Sequence, residues 1–184
     1  PQHHLDPAKP KTWGSQAEAE VMREFKYAVH HAMTAGKPRI KEILDELSAL
    51  TGRQRHPRIE AYRTDDAEII LVISGALTGT VRKALTSMRR EGQKIGLIKL
   101  SLVRPFPLAD LEQAVGMCPR IIVLNRAVSF GAGGTLTQEV RSALYHLPHK
   151  PKVIDLILSL GGKEVFPETI EDIVAKNEDL SLVD

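Results

Sequence analysis

One cysteine, Cys118, stands in 184 residues. That is too few for an internal disulfide, a four-cysteine zinc site or a cysteine-ligated iron–sulfur cluster held by this chain alone. It suits a reducing compartment, and the expected location is cytoplasmic. Charge of one sign is also missing. Lys and Arg number 25 against 23 Asp and Glu, a formal charge of +2, so no long-range field recruits nucleic acid or an acidic membrane. The longest apolar runs are blocks such as Ile69 to Ile73, far short of the roughly 20 residues that span a bilayer. No nucleic-acid partner and no membrane partner are expected.

Catalytic signatures are absent too. The 7 histidines include no H-E-x-x-H pair, and His30 and His31 point about 100° apart on a helix, so no metal site is predicted. No G-x-S-x-G elbow occurs. Cys118 beside Pro119 precedes a strand with no evident base, which reads as a small buried side chain rather than a nucleophile. No catalytic residue is assigned. The chain begins Pro1-Gln2-His3-His4, with neither an initiator Met nor a signal-peptide pattern, and reads as a fragment or a processed piece.

What is present is a globular composition, 42% apolar and 26% charged, at a length that buries about two thirds of the unfolded surface. Residues 1–16, with Pro1, Pro7 and Pro10, have no period of 2 or 3.6 and read as an extended arm or linker. Residues 17–57 read as a helical hairpin and connector. Val21, Phe25, Ala28, Val29, Ala32 and Met33 recur at helical spacing before Gly36 and Pro38; Ile40, Ile43, Leu44 and Leu47 repeat the pattern before Gly52. After the polar stretch Arg53 to Pro57 the texture changes to short β-branched runs separated by helix-length segments, the alternation of parallel βαβ units. Strands are expected at Ile59 to Tyr62, the first of them a candidate edge, then Glu68 to Ile73, Lys94 to Leu100, Arg120 to Leu124 and Lys152 to Ile157. Helices are expected at Gly79 to Arg90, Leu108 to Val115, Leu136 to Leu144 and Pro167 to Ala175.

Such sheets place ligands at the carboxyl ends of their strands, so the four segments there are the candidates. Ser74, Gly75, Thr78 and Thr80 offer amides and hydroxyls ahead of a helix, as an anion cradle or as a plain helix entry. Arg104 stands before Pro105-Phe106-Pro107, a rigid turn suited to an interface or simply to starting the next helix. Arg126, Ser129, Gly131, Gly133 and Gly134 follow the fourth strand, where glycines allow close approach of a ligand or neighbour. G-x-G-G lacks the spacing of a dinucleotide fingerprint. Lys163, in a last glycine-rich stretch, is available to a phosphate or carboxylate or sits in a solvated charge pair.

The phrases Val72 to Thr80, Arg89 to Leu100, Arg104 to Pro107, Arg126 to Gly134 and Asp155 to Val165 closely resemble, in order and spacing, the second domain of the alpha subunit of 2-oxoacid:ferredoxin oxidoreductases, the pyruvate:ferredoxin oxidoreductase family. Asn125 departs from an acidic residue common in that family, and Ser159, Lys163 and Glu164 vary its last phrase. The resemblance implies a three-layer α/β/α domain over residues 58–184, like the transketolase C-terminal domain, with a mostly parallel five-stranded sheet and one antiparallel edge strand. It implies part of a thiamine diphosphate-dependent enzyme that oxidatively decarboxylates a 2-oxoacid to an acyl-coenzyme A, with ferredoxin as acceptor. Thiamine diphosphate, Mg2+ and iron–sulfur clusters would then belong to other domains or subunits, the partners of this chain, which alone would bind none of them and be inactive. The readings that compete are a stand-alone nucleotide- or anion-binding module, the C-terminal domain of a thiamine-dependent dehydrogenase beta subunit, and a purely structural assembly element.

Overall fold

The computed structural model describes residues 6–11, 14, 16–53 and 58–176. Two units divide the chain, Pro1–Arg39 and Ile40–Asp184. Of the arm, the described part includes a turn at Asp6, whose carboxylate accepts the Ala8 N–H at 3.0 Å; the remainder, like connector residues 54–57, lies outside the described residues.

The expected hairpin is instead one helix, α1, Ala19–Thr51, with Pro38 inside it. Pro38 removes one backbone donor, but the flanking Ala, Lys, Arg, Ile and Glu residues favour helix strongly enough to continue through it. Gly36 keeps an ordinary negative φ and makes no left-handed stop, whereas Gly52, at φ 65°, does. None of α1 is buried.

The sheet follows the expectation closely. Its strands are β1 (Ile59–Tyr62), β2 (Ile69–Ile73), β3 (Ile95–Leu100), β4 (Arg120–Asn125) and β7 (Lys152–Ile157), in the order β1-β3-β2-β4-β7. β1 runs antiparallel to β3, and the other pairings are parallel. Two further strands, β5 (Val128–Ser129) and β6 (Gly133–Gly134), form a small antiparallel hairpin where the sequence suggests only a loop.

Buried on both faces, the central strands read as unbroken apolar runs. On one face Leu71, Ile73, Leu97, Ile122, Leu124 and Leu156 meet α2 (Thr78–Arg90) and α5 (Pro167–Lys176). On the other, Ile70, Val72, Ile98, Ile121 and Val123 meet α3 (Leu108–Val115) and α4 (Thr135–Leu144). Each fully buried Leu or Ile contributes about 1.5–3 kcal/mol. Arg89 on α2 ties down the β1–β2 turn, donating to both Asp66 carboxylate oxygens at 2.8 Å, to the Arg63 carbonyl at 2.8 Å and to the Ile95 carbonyl at 2.7 Å. That turn lies so close to β3 that a Cβ on Gly96 would stand 2.8 Å from the Arg63 carbonyl.

β2 and β4 are parallel neighbours, yet α2 leaves β2 toward one face and α4 leaves β4 toward the other. The chain therefore parts at their carboxyl ends, where doubly wound folds leave a crevice.

Candidate rim site at the sheet switch point

Ile73 pairs with Leu124, so Ser74 and Asn125 follow at the same level. Around them is a cleft of about 340 Å³ that includes Ser74, Arg104, Asn125, Arg126, Thr135 and Glu139 in its wall. A second cleft of about 570 Å³ lies along α2 and includes Thr80, Lys83, Arg126, Ser159, Lys163 and Phe166. Arg126 borders both.

The floor of the first cleft is a closed polar network. Asp155 is the acid in the otherwise apolar centre of β7. Its Oδ2 accepts the Gly134 N–H at 2.8 Å, and its Oδ1 accepts the Thr137 hydroxyl at 2.8 Å and the Asn125 side-chain amide at 2.9 Å. Asn125 also donates to Thr137 Oγ1 at 2.7 Å, and its own Oδ1 accepts the Leu136 N–H at 2.9 Å. Gly134 is the N-cap of α4 and has no side chain to cap with. A carboxylate and an amide from neighbouring strands satisfy the first-turn donors instead, the carboxylate placed where the helix dipole favours it. Asn125 is 2% exposed and Thr137 fully buried, so the bond between them is made away from water.

This arrangement accounts for two of the candidate glycines. A Cβ on Gly133 would stand 2.5 Å from Asp155 Oδ2, and one on Gly134 the same distance from Asp155 Oδ1 and closer still to Asn125. Their bare backbone is occupied by Asp155 and Asn125, so internal packing explains it. Ser129 and Gly131 sit in the β5–β6 hairpin and border neither cleft; the tip residue Phe130 is 94% exposed. Thr78 is buried, with its hydroxyl donating to the Gly75 carbonyl at 2.6 Å, which makes it part of the helix entry. Arg104, beside a cis Arg104–Pro105 bond, pairs with Glu139 and donates to its neighbour's carbonyl, Val103, at 2.8 Å. Ser74, Arg104 and Arg126 thus meet in the first cleft and Thr80, Arg126 and Lys163 in the second.

Asn125, Thr137, Asp155 and Glu139 were not among the sequence candidates. The signal that could have found Asp155 is one acid inside the run Val153-Ile154-Asp155-Leu156-Ile157, because a carboxylate at the centre of a covered strand needs partners. Cys118 donates to the Arg120 carbonyl at 3.2 Å, and burial pushes its thiol above the ordinary range. Among the described residues no group of three or more His, Cys, Asp or Glu could hold a metal ion. These donors do not fit a cysteine-ligated cluster. No described helix is long and apolar enough to cross a membrane.

Comparison with known proteins gives the frame for this site. A pyruvate synthase subunit PorA of Methanothermobacter thermautotrophicus is 34% identical over 97% of this chain and 45% of its own length. A ketoisovalerate oxidoreductase subunit VorA of Pyrococcus horikoshii is 34% identical over 92% of this chain and 42% of its own. The chain therefore spans less than half the length of these relatives. Among solved structures, a 2-oxoglutarate:ferredoxin oxidoreductase from Magnetococcus marinus, with 2-oxoglutarate, coenzyme A and succinyl-CoA bound, matches 70% of this chain and 20% of its own at 26% identity and a TM-score of 0.52. The description "Pyruvate:ferredoxin oxidoreductase core domain II" matches residues 67–170, the whole parallel part of the sheet with its crevice, and the chain belongs to that family.

Proposed function

We propose that the chain serves as the second domain of the alpha-type polypeptide in a thiamine diphosphate-dependent 2-oxoacid:ferredoxin oxidoreductase, which converts a 2-oxoacid and coenzyme A to an acyl-coenzyme A. The observation that supports this best is the family match over residues 67–170 together with 34% identity to a PorA subunit over 97% of the chain. Thiamine diphosphate would supply the carbanion chemistry, and Mg2+ and the clusters would lie with it in companion domains, ferredoxin meeting the assembly there. The donor set of this chain, with one buried thiol, fits that division. On this reading the chain is inactive alone and the assembly works in the cytoplasm.

The chain's own contribution is a rim. A closed network beneath the first cleft fixes the start of α4, and above it Arg126 is exposed and makes no hydrogen bond or ion pair with another described residue. An exposed guanidinium on a rigid support is suited to a bidentate contact with a carboxylate of a neighbouring domain. Arg104, already paired with Glu139, would set the shape of the approach. The test is to isolate the native assembly, measure which 2-oxoacid reduces ferredoxin, and determine thiamine and iron content together. Arg126→Ala in the assembly should weaken subunit association or acyl acceptor affinity several-fold. Unchanged turnover, affinity and assembly would remove this role from Arg126, and an assembly without 2-oxoacid-dependent ferredoxin reduction would overturn the function.

A further inference from the structure

The second cleft carries a chemistry beyond the docking contact given to Arg126, which borders it. Its walls come from four separate segments: α2, the end of β4, the residue after β7's extension and the turn at residues 160–163. Three of them bring a cation, Lys83, Arg126 and Lys163, against a single acid, Glu164. None of the three cations has an ion pair among the described residues. Three like charges converging on one concavity repel each other and raise the local concentration of anions.

A second observation comes from Ser159. It is only 7% exposed and borders the cleft. Its hydroxyl makes no hydrogen bond with another described residue and is not among the fully occluded polar atoms, so it keeps a little access in a residue that lines the cleft. Buried hydroxyls are nearly always partnered. Ser159 also holds a left-handed φ of 60°, a conformation that concentrates at ligand sites. Beside it Leu77, the N-cap of α2, offers no side-chain cap; the Thr78 N–H reaches the Gly75 carbonyl at 3.3 Å, and the Gly79 and Thr80 amides have no intrahelical partner. The cleft is larger than one phosphate, and Phe166, 56% exposed, offers an aromatic face at its edge.

We infer that this cleft binds a phosphate monoester with a flat ring system, of the nucleoside monophosphate class. The dianion matches three cations less one acid, the Ser159 hydroxyl donates to a phosphate oxygen, and the ring lies against Phe166. The site does not depend on the oxidoreductase reading, because binding is measured without turnover.

The experiment is calorimetric and NMR titration of the full chain with adenosine 5′-monophosphate, inorganic phosphate and adenosine. The monophosphate should bind more tightly than phosphate, adenosine should not compete, and affinity should fall with added salt. Lys83→Ala, Arg126→Ala and Lys163→Ala should each weaken binding at least about five-fold, the loss of one charge-assisted bond. Ser159→Gly suits the left-handed backbone and removes the hydroxymethyl group, so it should bind more weakly while melting no lower than the parent. Phe166→Ala should abolish the preference for the nucleotide over phosphate. Lys41→Ala, on exposed α1 and outside the cleft, should bind as the parent does. No saturation below about 5 mM, equal competition by adenosine, or indifference to the three cation substitutions would overturn the inference.

Discussion

Replacing Gly134 by Ala adds one methyl group at the point where α4, β4 and β7 meet. That carbon would stand 2.5 Å from Asp155 Oδ1, with the Asn125 side chain nearer still. Both side chains must retreat, and doing so breaks the Asn125 to Asp155 bond of 2.9 Å and the Gly134 to Asp155 bond of 2.8 Å. Asn125 and Thr137 are then left buried without full partners. Overpacking costs about 1–3 kcal/mol and stranding the Asn125–Thr137 pair, which keeps its own mutual bond, about 1–3 kcal/mol, so the expected loss is about 2–6 kcal/mol. For a chain of this size, at about 2–4 °C per kcal/mol, it lowers the melting temperature by about 4–24 °C. Urea denaturation followed by far-UV circular dichroism measures it, with Gly131→Ala as control. A Cβ there meets nothing within 4 Å, though φ is +80°, and the cost should be only about 1–2 kcal/mol of backbone strain. Asn125→Asp tests the same network by charge. Two carboxylates would face each other, one would be forced to a raised pKa, and the lost stability would return as the pH falls through that value. A Gly134→Ala loss under about 1 kcal/mol, or below that of Gly131→Ala, would refute the reasoning.

Two other predictions concern single side chains. Hydrogen bonding from the Arg89 guanidinium holds the Asp66 carboxyl below the usual carboxylate range; a lowered folded pKa contributes stability above the unfolded value and loses it as pH falls through the folded one. Arg89→Lys keeps the charge but not the planar fork, so acid titration between about pH 5 and 3 should cost the parent more stability than the variant, and equal titrations would refute it. The Cys118 thiol, raised by burial, should resist alkylation in the folded protein at pH 8. Because a raised acid pKa favours the protonated fold, stability should decline once pH exceeds the unfolded thiol value of about 8.5; Cys118→Ala should flatten that decline.

The sheet was legible because covered parallel strands are continuous β-branched runs, and Ile69–Ile73 or Arg120–Asn125 allow little else. The antiparallel edge came from the family resemblance, and the strand order was not read at all, since periodicity carries no pairing information. Gly36 and Pro38 misled for a physical reason: stop residues act through backbone angles, and Gly36 never takes the left-handed one. Two-residue strands containing two glycines leave no pattern at all, so β5 and β6 were invisible. At the site, Arg126 and Lys163 drew notice as charges in the segments that follow β4 and β7. Gly133 and Gly134 were noticed for their freedom, yet the cause lies in Asp155, which sequence places on a distant strand.

The cap of α4 is borrowed from a strand synthesised later, since Asp155 lies eighteen residues beyond Thr137. While the ribosome still holds that stretch, the opening turn of α4 has no carboxylate to receive its amides. Maturation of the rim therefore waits on the last strand of the sheet, and a polypeptide truncated before Asp155 would have its earlier strands but a frayed α4.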